Sequence, residues 1–267
     1  TPVHLIHIAD NETASVFNPR NLLMAEEGSQ FTLIESFESI GPVKSFTNAL
    51  IEVFVGANTI VDHYRIQAEG EQGHLVSSVQ SNISRSSNYT THTYTFGGSL
   101  VRNNLNNILA EPGTETHLFG LYLPKGNQVF DNHTIVDHTV PNCMSNELYK
   151  GVVTDKGTAI FNGKIFVRPD AQKTNAFQTN KNVLLSDDAT VNTKPQLEIF
   201  ADDVKCSHGT STGRIDEQAL FYLRARGIGE ASARKLLIHA FAGEVIENIK
   251  IDSIKNYVLD RLAEALD

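Results

Sequence analysis

From about Phe31 to Gly213, apolar and polar positions alternate in short runs. Residues 49–55 (ALIEVFV), 59–66, 74–79, 90–96, 115–123 and 160–167 each keep a period of two and are rich in β-branched and aromatic side chains. Turn-forming clusters separate them, among them Gly56-Ala57-Asn58, Gly70-Glu71-Gln72-Gly73, Gly97-Gly98, Pro112-Gly113 and Lys125-Gly126-Asn127. Period two between such breaks predicts many short strands. No helix-period segment interrupts them, which disfavours alternating strand–helix architectures. A sandwich, a barrel and a solenoid remain open, and three features tilt the reading toward the solenoid. The Asn- and Thr-rich runs 102–107 and 87–95 suit side-chain ladders between stacked coils. Two-residue hairpin turns are scarce, Asn162-Gly163 being the one candidate. The region is also long for a single sandwich.

After Gly213 the period changes. Asp216 is placed to N-cap a helix carrying Ala219, Leu220, Tyr222 and Leu223, ended by Gly227 after Arg224 and Arg226. A second helix is predicted over 230–249, its stripe being Ala233, Leu236, Leu237, Ala240, Phe241, Ile246 and Ile249. A third starts near Asp252 and carries Ile254, Val258, Leu259, Leu262 and Ala265. Three helices in so short a stretch bury little by themselves. They must pack on the β region, on another chain, or on both. The expected division is therefore a β region over 1–213 and a helical domain over 214–267.

The chain has 267 residues, 40% of them hydrophobic, enough for a sizeable core. Its net charge of −9 repels phosphate backbones, and Lys and Arg do not cluster, so no nucleic-acid partner is expected. No run of 18 apolar residues predicts a membrane span. Thr1 stands where Met would start a chain and no signal-peptide layout follows, the pattern expected of a fragment or processed product. With only Cys143 and Cys206, a reduced cytoplasmic compartment is expected.

The chemistry is sparse. No phosphate-binding Gly-x-x-x-x-Gly-Lys-Ser/Thr is present; Gly209 to Gly213 has the glycine spacing, but Arg214-Ile215 follows. Neither a dinucleotide-binding glycine motif nor Gly-x-Ser-x-Gly occurs. His133 and His138, five apart, and His4 and His7, three apart, would point to opposite faces of a strand. His63 reads as a surface or ladder residue. Cys206 and His208 differ: an offset of two projects both from one face, and thiolate and imidazole are ligands that iron and zinc prefer. Two ligands do not close a site, so other coils or another chain must supply the rest. Alternatively, the two are buried for packing alone, in a purely structural solenoid. A third reading is a β-helix polysaccharide lyase or hydrolase. Asn192-Thr193-Lys194, Asp202-Asp203, Ser207-His208-Gly209 and Arg214-Ile215 echo polygalacturonase motifs. They lie far closer than the roughly 20 residues a coil needs, and Lys194 stands where an acid is required.

Residues 195–227, PQLEIFADDVKCSHGTSTGRIDEQALFYLRARG, closely resemble the SufD branch of the SufB/SufD family of iron–sulfur cluster assembly proteins. His133-Thr134, His138, Lys150-Gly151, Phe161-Asn162-Gly163-Lys164 and Ala171-Gln172-Lys173-Thr174 extend the likeness upstream, over roughly 46–241. SufB-like chains carry a cluster-building cysteine where Ile199 stands and Glu-His-Glu where Ser207-His208-Gly209 stands, so the likeness is to SufD. The resemblance implies a right-handed parallel β-helix with a small C-terminal α-helical domain, acting as a non-catalytic scaffold. It implies a complex with a SufB-like subunit and a SufC-like ATPase, and a homodimer in isolation. The helical domain would dock the ATPase, with Asp216, Phe221, Tyr222, Arg226 and Gly227 as the positions carried over. ATP would bind SufC, and no cofactor would be held tightly here. A transient cluster would form at the subunit interface, with His208 and, beside it, Cys206 as ligands to iron. The N-terminal helical segment usual in SufD is not found, in keeping with the fragment expectation.

Overall fold

The computed structural model describes residues 2–265; Thr1, Leu266 and Asp267, at the outer limits of the two expected regions, lie outside it. The strands run β1 (Val3–Asp10), β2 (Ser15–Phe17), β3 (Arg20–Ala25), β4 (Gln30–Ile40), β5 (Ser45–Val55), β6 (Ile60–Ala68), β7 (Gly73–Ile83) and β8 (Asn88–Thr95). They continue through β9 (Leu100–Leu109), β10 (Glu115–Tyr122), β11 (Val129–His138), β12 (Met144–Val153), β13 (Thr158–Val167), β14 (Asn175–Leu184), β15 (Thr190–Ile199) and β16 (Lys205–Gly213). One sheet has the order β1-β4-β6-β8-β10-β12-β14-β16; the other runs β15-β13-β11-β9-β7-β5-β2, with β3 also on β5. Every pairing is parallel, and from β4 onward the strands alternate between the two sheets, so neighbours within a sheet lie one coil apart, as in Glu147↔Gln178 and Gln178↔His208. The result is a β-solenoid of about seven turns. Strand structure begins at Val3, earlier than the alternation from Phe31 suggested. The first strands leave Ile6, Ile8, Val16, Leu22 and Met24 exposed, so their pattern lacks a clean polar face.

Corners set the register. Gly28, Asn58, Ser86, Gly113, Asn142 and Lys173 all have left-handed φ, between +55° and +76°. Each backbone N–H in this column donates to the next coil: Gly28 to Ala57, Asn58 to Arg85, Ser86 to Pro112, Gly113 to Asn142, Asn142 to Gln172 and Lys173 to Asp203. One residue per turn therefore accepts a conformation that L side chains resist, and the neighbouring coil supplies the hydrogen bond that holds it.

Strands of the second sheet alternate as half-buried strands should; β7 is buried at every second residue. In β6, β8 and β10 both faces are buried, because helices cover the outside of that sheet. These helices are α1 (Glu217–Ala225), α2 (Glu230–Ile246) and α3 (Asp252–Glu264). Ile238, Ala242, Val245, Ile246, Val258 and Leu262 pack on Tyr64, Tyr94, Phe119, Leu121 and Val152. Each such fully buried side chain contributes roughly 1.5–3 kcal/mol. α2 ends at Ile246, three residues before the expected Ile249, which stays buried in the following turn.

Polar latches pin the seat. Lys250 Nζ donates to both Asp62 oxygens, at 2.8 and 3.0 Å, and its backbone N–H donates to Tyr64 Oη at 3.1 Å. The buried Lys150 Nζ donates to the Phe241 carbonyl at 2.6 Å and pairs with Glu244, which Lys181 also approaches at 3.5 Å. Among the described residues no helix is long and apolar enough to cross a membrane.

Candidate functional site

β16 is the last strand of its sheet and β15 the last of the other, so the final coil has a neighbour on one side only. On β16, Cys206 pairs in register with Ala176 and His208 with Gln178. Ala176 and Gln178 are both buried inside the solenoid. Cys206 and His208 therefore share the inward-facing side of their strand, as the offset of two predicts. Cys206 is half-buried against the core, and His208 is exposed at the open end. Burial pushes the Cys206 thiol up, while the Ala176 backbone pulls it back. The two cysteines are unpaired; Cys143 is buried and accepts a hydrogen bond from Thr114 Oγ1 at 3.1 Å.

Thiolate plus imidazole is a sound donor set for iron. Among the described residues, however, no group of three or more His, Cys, Asp or Glu could hold a metal ion. The pair by itself is thus two donors and not a closed metal site. Ile199 ends β15 on this same coil, and Ile199, Phe200 and Phe177 leave apolar surface there.

The expected docking residues gather around α1. Asp216 caps it, its Oδ1 accepting from the N–H groups of Gln218 (2.8 Å) and Ala219 (3.2 Å). Gly227 follows with φ +86° and turns the chain toward α2. These two shape the helix ends. Phe221, 74% exposed, and Tyr222, 57% exposed, form its outward surface. Arg226 lies over the Tyr222 ring at 4.9 Å and donates to its hydroxyl at 2.9 Å.

The histidine pairs divide between faces as expected: His133 is half-buried and bonded to Asp131 at 2.9 Å, whereas His138 is buried on Ser145 Oγ at 2.9 Å. His63 corrects the surface reading. It is fully buried, with Nδ1 3.0 Å from Tyr89 Oη and Nε2 3.5 Å from Glu35. From Val61 to Gln67 both faces of β6 are covered, so His63 has no outer surface to occupy.

His63 belongs to a polar interior that sequence reasoning missed. Arg65 Nε donates to Glu35 Oε2 at 2.9 Å, Arg65 Nη2 donates to Ser77, and His7 reaches the other Glu35 oxygen at 3.1 Å. Burial alone would raise Glu35, but Arg65, with His63 and His7, outweighs it and holds the carboxyl well below the usual range. Nearer the open end, Gln178 Nε2 donates to Glu147 Oε2 at 2.7 Å. Burial lifts Glu147 to about 7, against hydrogen bonds from Thr134 and Gln178. Tyr122 Oη donates to Asn182 at 2.7 Å and accepts from Asn180 at 2.9 Å. The signal available beforehand was a charged residue at an inward-parity position, such as Glu35 between Leu33 and Phe37.

The sequence that builds this parallel solenoid and its helical appendage is similar to those of known proteins. Residues 7–241 match the family described as "SUF system FeS cluster assembly, SufBD core domain". The chain belongs to the SufB/SufD family. Within it the similarity is to SufD: the chain is 37% identical over 268 residues to "Iron-sulfur cluster assembly protein SufD" of Escherichia coli, covering 99% of this chain and 63% of that protein. It is 28% identical over 267 residues to the SufD of Bacillus subtilis, covering 97% and 60%. A SufBD family protein of Synechocystis is 36% identical over 264 residues, covering 96% and 58%. The chain thus spans about three fifths of the length of these relatives.

Proposed function

We propose that this chain is a non-catalytic scaffold subunit of a cytoplasmic iron–sulfur cluster assembly complex. Its last coil pairs with a SufB-like subunit, or with a second copy when isolated, and its helices dock a SufC-like ATPase. One observation carries the reading: Cys206 and His208 share one face of a terminal strand whose neighbour is missing. An open strand edge invites pairing, and the exposed Ile199, Phe200 and Phe177 give that contact apolar area. The pairing subunit supplies the remaining ligands, and the cluster is cargo, assembled and passed on. ATP acts on the partner. The latches from Lys250 to Asp62 and from Lys150 and Lys181 to Glu244 tie the helices to the sheet that ends in β16. A movement imposed at α1 therefore reaches the last coil, provided the ATPase binds two arrangements of the complex with different affinity.

Anaerobic co-production with SufB-type and SufC-type partners tests both halves. Phe221→Ala/Tyr222→Ala is expected to abolish co-purification of the ATPase, and retained binding would refute the docking surface. His208→Ala is expected to strip cluster iron and sulfide from an intact complex. Unchanged cluster content would remove the ligand role and leave an architectural one.

A further inference from the structure

We infer that Glu147 and Gln178 are positioning residues for His208, a buried carboxyl–amide pair that holds the imidazole by its non-coordinating ring nitrogen. The inference rests on His208 being a ligand. Glu147 on β12, Gln178 on β14 and His208 on β16 are consecutive members of one row, in register across three neighbouring strands. Glu147 and Gln178 are each about 1% exposed, facing the solenoid interior. The Gln178 amide is fixed at one end, its Nε2 donating to Glu147 Oε2 at 2.7 Å. It is also fixed from across the interior, because a Cβ at Gly163 would collide with Nε2. Only glycine leaves room for the amide there.

With Nε2 turned toward β12, the planar amide has Oε1 to offer the other neighbour in the row. That oxygen is buried and has no hydrogen-bond partner among the described residues. An unpaired buried carbonyl is costly to keep. His208 is the remaining member of the row at the open end, and its ring makes no hydrogen bond among those found for the described residues. Metal-bound imidazoles almost always donate their second ring N–H to a carboxylate, carbonyl or water. The Gln178 carbonyl is the acceptor of that kind in this row, and Glu147 holds the amide by its other end.

The test uses the full chain in the anaerobically co-produced complex. Pulsed EPR of the reduced cluster reads the quadrupole coupling of the remote imidazole nitrogen, which responds to that nitrogen's hydrogen bond. Titration with an iron chelator reads retention. Gln178→Leu and Glu147→Leu are expected to shift the remote-nitrogen coupling and to release iron at about 10- to 100-fold less chelator. Glu147→Gln, whose amide oxygen can still accept from Gln178 Nε2, is expected to restore both. Should Gln178→Leu prevent assembly, Glu147→Leu/Gln178→Leu removes both polar partners together and leaves no orphan. Coupling and chelator titration identical to the parent in the leucine variants would overturn the positioning role and leave His208 a ligand. An imidazole signal that survives in His208→Ala would sink the ligand reading, and this inference with it.

Discussion

Replacing Arg65 with methionine is expected to cost about 3–5 kcal/mol of stability, measured by urea unfolding at neutral pH. Arg65 and Glu35 are both buried, and the guanidinium is the main opposition to the desolvation of that carboxylate. Without it, Glu35 must stay charged among apolar walls or take up a proton. Glu35→Leu/Arg65→Met removes the whole pair and should recover most of the loss, since a buried ion pair offsets little more than its own desolvation. The pH dependence has a definite sign. Glu35 is held below its ordinary 4.5 in the folded chain, so it binds protons more weakly there than when unfolded. Its contribution is complete above that ordinary value and drains away as pH falls through the lower folded one. Acid unfolding monitored by circular dichroism should be flatter for the double variant. An equally steep acid transition would contradict the assignment.

Phe161→Ala is expected to cost about 3–5 kcal/mol, because a fully buried ring leaves a cavity that a sheet stacked on both sides cannot close. The Phe161 ring lies 5.2 Å from that of Tyr149, inside the solenoid. On the outer face of the last coils, Phe177 is 40% exposed, and Phe177→Ala should stay within about 1 kcal/mol in the isolated monomer. The same urea titration separates them. Similar costs at the two positions would mean that inward and outward parity had been assigned wrongly.

Much of the β region was legible because alternation reports burial directly, and the runs at 49–55, 74–79 and 160–167 fall within β5, β7 and β13. The Asn-rich run 102–107 was also informative. Asn103 Nδ2 donates inward to Asn132 at 3.0 Å, and Asn106 Nδ2 donates outward to Gln80 at 2.7 Å, so both faces of β9 carry inter-coil ladders. Coil register was not legible, since its corner column uses Gly, Asn, Ser and Lys in turn and leaves no fixed residue type to follow. His63 was misplaced for a related reason. Once helices cover the outside of a sheet, the period-two pattern vanishes, and polarity no longer marks the exposed side. The Cys206–His208 offset was readable within one strand. Its support by Gln178 and Glu147 was not, because those contacts join residues some thirty positions apart. The segment 195–227 pointed to the family where periodicity alone left three architectures open.

The seat of the helices gives the solenoid a further property. α2 rests on β10 and β12 and reaches β14 through Glu244 and Lys181, while the open strand β16 is the very next one. Strands in a sheet are spaced by about 4.8 Å, so the stack behaves as a ruler graduated in whole coils. Adding or deleting one complete coil before β16 would shift the thiol and imidazole by one graduation and keep them facing inward. A change of a single residue within β16 would turn them outward instead. The reach from the seat of the helices to Cys206 and His208 can therefore be altered only in discrete steps, and length variation between members of the fold should fall in the corners or in entire turns.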